Sequence, residues 1–279
     1  MTDDAAPHPS PAEPTVVPLT EAAQLDSLWR DVLEPSFPPD ELTSSDDLRA
    51  GLASGELTAY GVQQDGRVVA GIVATWSRAT QVLLVDYLAL APGHRGGGVG
   101  GRLLDRSLAG WREELHPVLV LAEVEHPGHH APHPSHGDPA ARLRFYARHG
   151  ARALAVPYFQ PGIGGPGSPR VPAMLLVALG TDRGTDPGTE PGTGTVPGAA
   201  VRGFLLEHLR ECEGTVPGDP AVRRLLEAAA GESVALVDPT DADALAAVPV
   251  AVLEGAERYA PPAPGASGPT ASTASTGSA

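Results

Sequence analysis

The sequence predicts a mixed α/β fold of the α+β kind, a mostly antiparallel sheet flanked by helices. Two stretches carry that expectation. Residues 57–62 and 68–76 are strand-like runs joined by Gln63, Gln64, Asp65 and Gly66, and the Asp-Gly pair favours a tight antiparallel hairpin. Residues 81–90 form a further strand that runs into a glycine cluster, a helix with one apolar face, and the near-continuous apolar run 118–124. That order suits a buried parallel strand reached by a right-handed helical crossover.

The other elements follow from local signals. Residues 16–19 make a short first strand. Apolar residues at Leu25, Leu28, Trp29, Val32 and Leu33 have helix spacing, and Pro35, Pro38 and Pro39 end that element. A second helix starts at Ser44 or Ser45 and carries Leu48 and Leu52. Behind the glycines, Val99, Leu103, Leu104, Leu108, Trp111 and Leu115 share one helix face, which packs on the sheet. Asp138 followed by Pro139 reads as an N-cap with proline at the first helical position, and Gly150 stops that helix. Residues 153–159 and 171–179 read as a last strand pair.

The chain accordingly divides into a disordered tail (1–14), a main domain (15–180), a Gly/Pro/Thr-rich linker (181–198), a small helical C-terminal extension (199–256) and a second disordered tail (257–279). In the extension, Val201, Phe204, Leu205 and His208 mark one helix, Val222, Leu225 and Leu226 another, and residues 234–237 a short strand. With 33 Gly and 30 Pro concentrated in segments that cannot pack, one main domain with an appendage is expected.

Composition narrows the function. A formal net charge of -15 argues against a nucleic-acid partner, which calls for a basic face. No stretch approaches an uncharged apolar membrane span, and the acidic start at Asp3 and Asp4 is unlike a secretory signal, so a cytoplasmic protein is expected. The single Cys212 cannot form an internal disulfide, and its neighbours Glu211 and Glu213 disfavour a thiolate nucleophile. Lysine is absent, which excludes a P-loop lysine and a pyridoxal Schiff base in one step. Phosphates here must be held by backbone and arginine. Asparagine is absent too, and the Ala/Gly/Pro/Arg bias resembles that of a high-GC bacterial genome.

The glycine cluster is where chemistry is expected. Glycines leading into a helix let backbone amides close around a phosphate at the positive end of the helix dipole, and Arg95 adds a fixed charge. Two cofactors compete. Residues 96–101 satisfy G-x-G-x-x-G, and Glu123 follows at about the distance, ~20 residues, of a ribose-binding acid, as a dinucleotide site requires. Against this, residues 91–95 intervene between strand and first glycine, and an antiparallel hairpin and two helices come first.

The same residues resemble the GNAT superfamily of acyl-CoA-dependent N-acyltransferases. The match is Tyr87, Leu88, Ala89, Leu90, Ala91 and Pro92, then Arg95, Gly98 and Gly100 in the family's Arg/Gln-x-x-Gly-x-Gly/Ala pattern. Tyr146 to Gly150 is similar to its Tyr-x-x-x-Gly at the end of the fourth helix. The resemblance implies a mixed seven-stranded sheet, acetyl-CoA as co-substrate and no metal. Leu88, Ala89 and Leu90 would contact pantetheine through their main chain, and amides from Arg95, Gly96, Gly97, Gly98, Val99, Gly100 and Gly101 would hold the pyrophosphate. Two positions depart from the pattern: Pro139 stands where the family often has a CoA-contacting asparagine, and Ala151 where it has an aromatic.

The implied reaction is transfer of an acetyl group to a primary amine of a small molecule or protein by direct attack in a ternary complex. Tyr146 matches the family's usual acid, although its spacing with Leu143 and Ala147 also suits a core tyrosine. Glu123 and Asp86 are the candidate bases, as carboxylates in apolar strands where burial raises the pKa, with Glu125 third. His126, His129, His130, His133 and His136 lack the rigid spacing of a metal site. Trp29, Phe37, Tyr158 and Phe159 are candidate acceptor-pocket residues. A non-catalytic acyl-CoA-binding module and a nicotinamide-dependent oxidoreductase stand as alternatives. The expected assembly is a monomer or homodimer.

Overall fold

The computed structural model describes residues 15–39, 41–94, 96–133, 137–162, 167–180, 194–251 and 253. The expected tails 1–14 and 257–279, most of the linker, Arg95 and His136 lie outside the described residues.

Strand β1 (Thr15–Pro18) leads into α1 (Ala22–Ser27), which continues as a π-helical segment, Leu28–Leu33. Its wider winding is closed by the Glu34 N–H donating to the Trp29 carbonyl at 2.8 Å. It seats Leu28 against β3: a Cβ on Gly71 would fall 2.1 Å from Leu28 Cδ1, so only glycine admits the helix this closely. Helix α2 (Ser45–Ser54) is capped by the Ser44 hydroxyl, which accepts from the Asp47 N–H. The hairpin β2 (Leu57–Gln64) and β3 (Arg67–Ser77) turns at Asp65-Gly66, both at positive φ, as the sequence predicts.

Next come β4 (Val82–Leu90), α3 (Val99–Glu114), β5 (Leu119–Glu125), α4 (Pro139–Arg148), β6 (Arg152–Leu154) and β7 (Met174–Ala178). The β4–α3–β5 unit is the parallel pair; the other strand pairings are antiparallel.

Seven strands are expected and nine are found, in the order β1-β2-β3-β4-β5-β7-β6-β9-β8. The two extra strands, β8 (Thr195–Pro197) and β9 (Ser233–Val237), belong to the C-terminal segment. β9 pairs with the free edge of β6 through Ala153–Val237 and Leu154–Leu236. The expected linker 181–198 thus ends in β8 and the first residue of α5 (Gly198–Glu213), and the expected helical extension also contributes strands. Helices α6 (Pro220–Ala228) and α7 (Ala242–Ala246) complete it.

Three apolar clusters hold these layers. On one sheet face, Leu103, Leu104, Leu108 and Trp111 of α3 and Leu143 and Tyr146 of α4 pack on Ile72, Leu83, Val85 and Val124. On the other face, α1 and its π-helical extension cover Val73 and Ala89. Beside them α5, through Val201, Phe204, Leu205 and Leu209, covers Leu84, Leu121, Tyr158 and Leu176. Each such side chain contributes about 1.5–3 kcal/mol by leaving water. Beyond Val85–Ala122 the strands β4 and β5 are no longer paired, and this gap between them is the cleft.

Candidate active site

The cleft originates in a break of strand pairing. β4 and β5 pair only from Val82–Leu119 to Val85–Ala122, although β4 runs on to Leu90 and β5 to Glu125. On its other side β4 keeps β3 to its end, but with a bulge: Ala74 pairs with Val85 and Val73 with Tyr87, so Asp86 is the extra residue. A bulge bends its strand and increases its twist, which turns β4 away from β5. The edge of β4 at Leu88, Ala89 and Leu90 is therefore open toward the gap. Leu88 and Leu90 pack on the α3/α4 side and Ala89 on the α1 side.

The strand then enters the glycine turn. Gly96, Gly97 and Gly98 have φ of +102, +61 and +71°, a backbone run that residues with a Cβ adopt only under strain. A Cβ on Gly96 or Gly97 would meet nothing within 4 Å, so the backbone angle alone demands glycine, and the space before the turn is open. The first backbone bond into α3 is from the Arg102 N–H to the Gly98 carbonyl at 3.0 Å, which leaves the amides of Val99, Gly100 and Gly101 without intrahelical acceptors. The Arg102 guanidinium donates to the Gly97 carbonyl at 2.9 Å and steadies the turn. Behind it, a Cβ on Gly101 would lie 2.7 Å from His149 Cε1, so the start of α3 is held against the end of α4.

Asp86 and Glu123 project to the same face across the gap and differ in state. Asp86 is exposed to the cleft but walled by protein, and this desolvation outweighs the 2.8 Å bond from the Thr75 hydroxyl and pushes it up to about 7. The negative Glu123 opposite adds to the rise and the His208 charge moderates it. Glu123 is also pushed up by burial, but partners prevail and it falls below its ordinary value. His208 Nε2 lies 3.7 Å from its Oε1, the Tyr158 hydroxyl donates to Oε1, and Gln160 Nε2 donates to Oε2 at 3.0 Å. Both Glu123 oxygens thus already have partners, and these favour its ionised form. Glu125, the third candidate, lies 3.8 Å from both His130 Nδ1 and Arg142 Nη1.

Tyr146 lies on the opposite face, in the cluster with Val85, Val124 and Leu143, so it is not brought together with the carboxylates except through the gap itself. Burial pushes it up to about 12, with Arg142 acting weakly the other way. Of the aromatic candidates, Trp29 donates its indole N–H to the Thr43 carbonyl at 3.1 Å, and Phe37 meets Tyr87 edge-on at 5.0 Å beside the cleft. Tyr158 reaches Glu123, whereas Phe159 is buried beneath the Arg170 guanidinium at 4.7 Å. His126 and His130 direct ring nitrogens to the Leu245 and Pro172 carbonyls.

Sequence reasoning missed Thr75, Gln160 and His208. The first two carry no motif. His208 reads as one more position on an amphipathic helix, and only the docking of α5 on the sheet brings it to Glu123.

The acetyltransferase (GNAT) family model matches residues 25–151. The chain is similar to a GNAT-family protein from Bacteroides thetaiotaomicron, at 25% identity over 60% of this chain and 86% of that one, with a TM-score of 0.44. It is also similar to the ribosomal-protein-S18-alanine N-acetyltransferase of Escherichia coli, at 16% identity over 59% and 92% of the chains and a TM-score of 0.41. A GNAT family acetyltransferase from Elizabethkingia anophelis with acetyl-CoA bound gives 12% identity, 60% and 98% coverage and a TM-score of 0.41. No curated protein sequence matches the chain.

Proposed function

We propose that the chain, whose residues 25–151 match the acetyltransferase (GNAT) family model, moves an acetyl group from acetyl-CoA to a primary amine by direct attack in a ternary complex. The observation that carries this reading is the splay of β4 from β5 immediately before the glycine turn. An extended pantetheine fits the open edge at Leu88, Ala89 and Leu90 as an added strand, and free amides at Val99, Gly100 and Gly101 suit a pyrophosphate. Gly96, Gly97 and Gly98 keep the approach clear, and Arg95 adds charge by family resemblance.

Within this reading Asp86 is the base. An acceptor arrives as an ammonium ion and must lose a proton before its nitrogen attacks the thioester carbonyl, and a carboxylate raised to about 7 takes that proton at neutral pH. The amide of Leu88 stabilises the carbonyl oxygen as negative charge develops. As the C–S bond breaks, Tyr146, which burial keeps protonated, donates its proton to the departing thiolate. Glu123 stays ionised against its own partners.

Release of free CoA thiol from acetyl-CoA against a panel of primary amines tests the proposal. Amine-dependent release is expected, reduced by about 100-fold or more in Asp86→Asn and by about tenfold or more in Tyr146→Phe. Acetyl-CoA binding without release for any amine would favour a non-catalytic binding module.

A further inference from the structure

Helix α5 lies outside the region that matches the acetyltransferase family, yet it reaches the centre of the cleft. His208 Nε2 stands 3.7 Å from Glu123 Oε1, and the two side chains are only 14% and 15% exposed. The ring is fixed from other sides as well. Phe204 stacks on it with centroids 5.2 Å apart and planes inclined by 15°, and Cys212 Sγ lies 3.7 Å from Nδ1. The helix is itself pinned. Glu207 accepts from the Ser77 hydroxyl, and Glu213 takes a two-point bond from Arg170 at 2.7 and 2.8 Å.

We propose that His208 is a positioning residue of the acyl-transfer site, supplied by α5: its cationic ring pairs with Glu123, keeps that carboxylate out of proton transfer, and so reserves the role of base for Asp86. The inference rests on the acetyltransferase reading for its kinetic consequences, but the approach of ring and carboxylate stands on geometry alone.

The charges around the ring agree with this. Titratable groups face it from β5 (Glu123), β4 (Asp86), the segment after β6 (Tyr158) and α5 itself (Glu211 and Cys212). Burial opposes the charged ring, but Cys212 and Glu123 outweigh burial and His208 is pushed up to about 10. The ring therefore carries its charge through the neutral range. Removing that charge makes both Asp86 and Glu123 harder to ionise. Because the two carboxylates repel, they titrate as a coupled pair and both steps move up.

Two measurements on the full chain test this. Ring-proton NMR titration should show His208 protonated beyond pH 8 in the wild type, and titrating in the ordinary histidine range in Glu123→Gln. An ordinary wild-type titration would overturn the proposal. In the pH profile of kcat/KM, His208→Gln should shift the acid limb upward, with about fivefold less activity at pH 7 and recovery above about pH 9. His208→Lys, which keeps the charge, should hold the limb near its wild-type position, and KM for acetyl-CoA should change little in either variant. A uniform loss at every pH, or an unmoved limb in His208→Gln, would reduce His208 to a packing residue. If no amine is acetylated by the wild type, the functional reading fails, and the NMR titration alone decides the ion pair.

Discussion

Asp86 is an extra residue in a strand, and its chemistry follows from that. The bulge takes it out of the β3 register and leaves it exposed at the gap, where the neighbouring protein still desolvates its carboxyl. Its proton affinity has a consequence for stability as well as for rate. The folded protein holds this proton up to about pH 7, whereas the unfolded chain releases it near 3.8. Stability therefore falls as pH rises through that window, because the unfolded state has already ionised while the folded state resists. Asp86→Asn should leave stability near that of the wild type at pH 4 and raise Tm above it at pH 8, which thermal unfolding at the two pH values checks. The same variant should abolish the acid limb of the rate profile. Asp86 is legible in the sequence as a charge in an apolar run. What separates it from Glu123 is not, because Tyr158, Gln160 and His208 reach Glu123 only in the folded chain.

At the scale of elements, the β4–turn–α3 unit is the part that sequence describes best. Its signals are local: glycine where φ is positive, an apolar face at helix spacing and a strand of continuous apolar residues. Gly98 is the N-cap of α3 at φ +71°, so Gly98→Ala should cost about 1–2 kcal/mol of stability by denaturant unfolding. It should also weaken acetyl-CoA in a calorimetric titration, because the turn's amides lose their aim. Trp111, fully buried on α3 and donating to the Thr58 hydroxyl at 3.0 Å, should cost about 3–5 kcal/mol as Trp111→Ala. The splay is less legible. A bulge of one residue and the point where two parallel strands part depend on pairing partners, and no motif in residues 81–90 or 118–124 marks where pairing stops.

For the molecule as a whole, the C-terminal segment is the feature that sequence describes least. Its helices and its strand at 234–237 are readable from periodicity, but not where they dock. The edge of β6 receives β9, and the apolar face of α5 covers Leu84, Leu121 and Leu176 of the main sheet and Tyr158 of the segment after β6. One core therefore spans both parts. A chain ending at Gly180 would leave that face bare, so it should aggregate or bind a hydrophobic dye strongly rather than yield a working acetyltransferase domain. Soluble yield and dye fluorescence check this, and a folded, active truncation would show that the C-terminal segment is dispensable. The most direct measurement of function is calorimetric titration of the full chain with acetyl-CoA and, in parallel, with NAD. One-to-one binding of acetyl-CoA with NAD silent is expected from the splayed strands and the glycine turn; NAD binding with acetyl-CoA silent would contradict the acyltransferase reading outright.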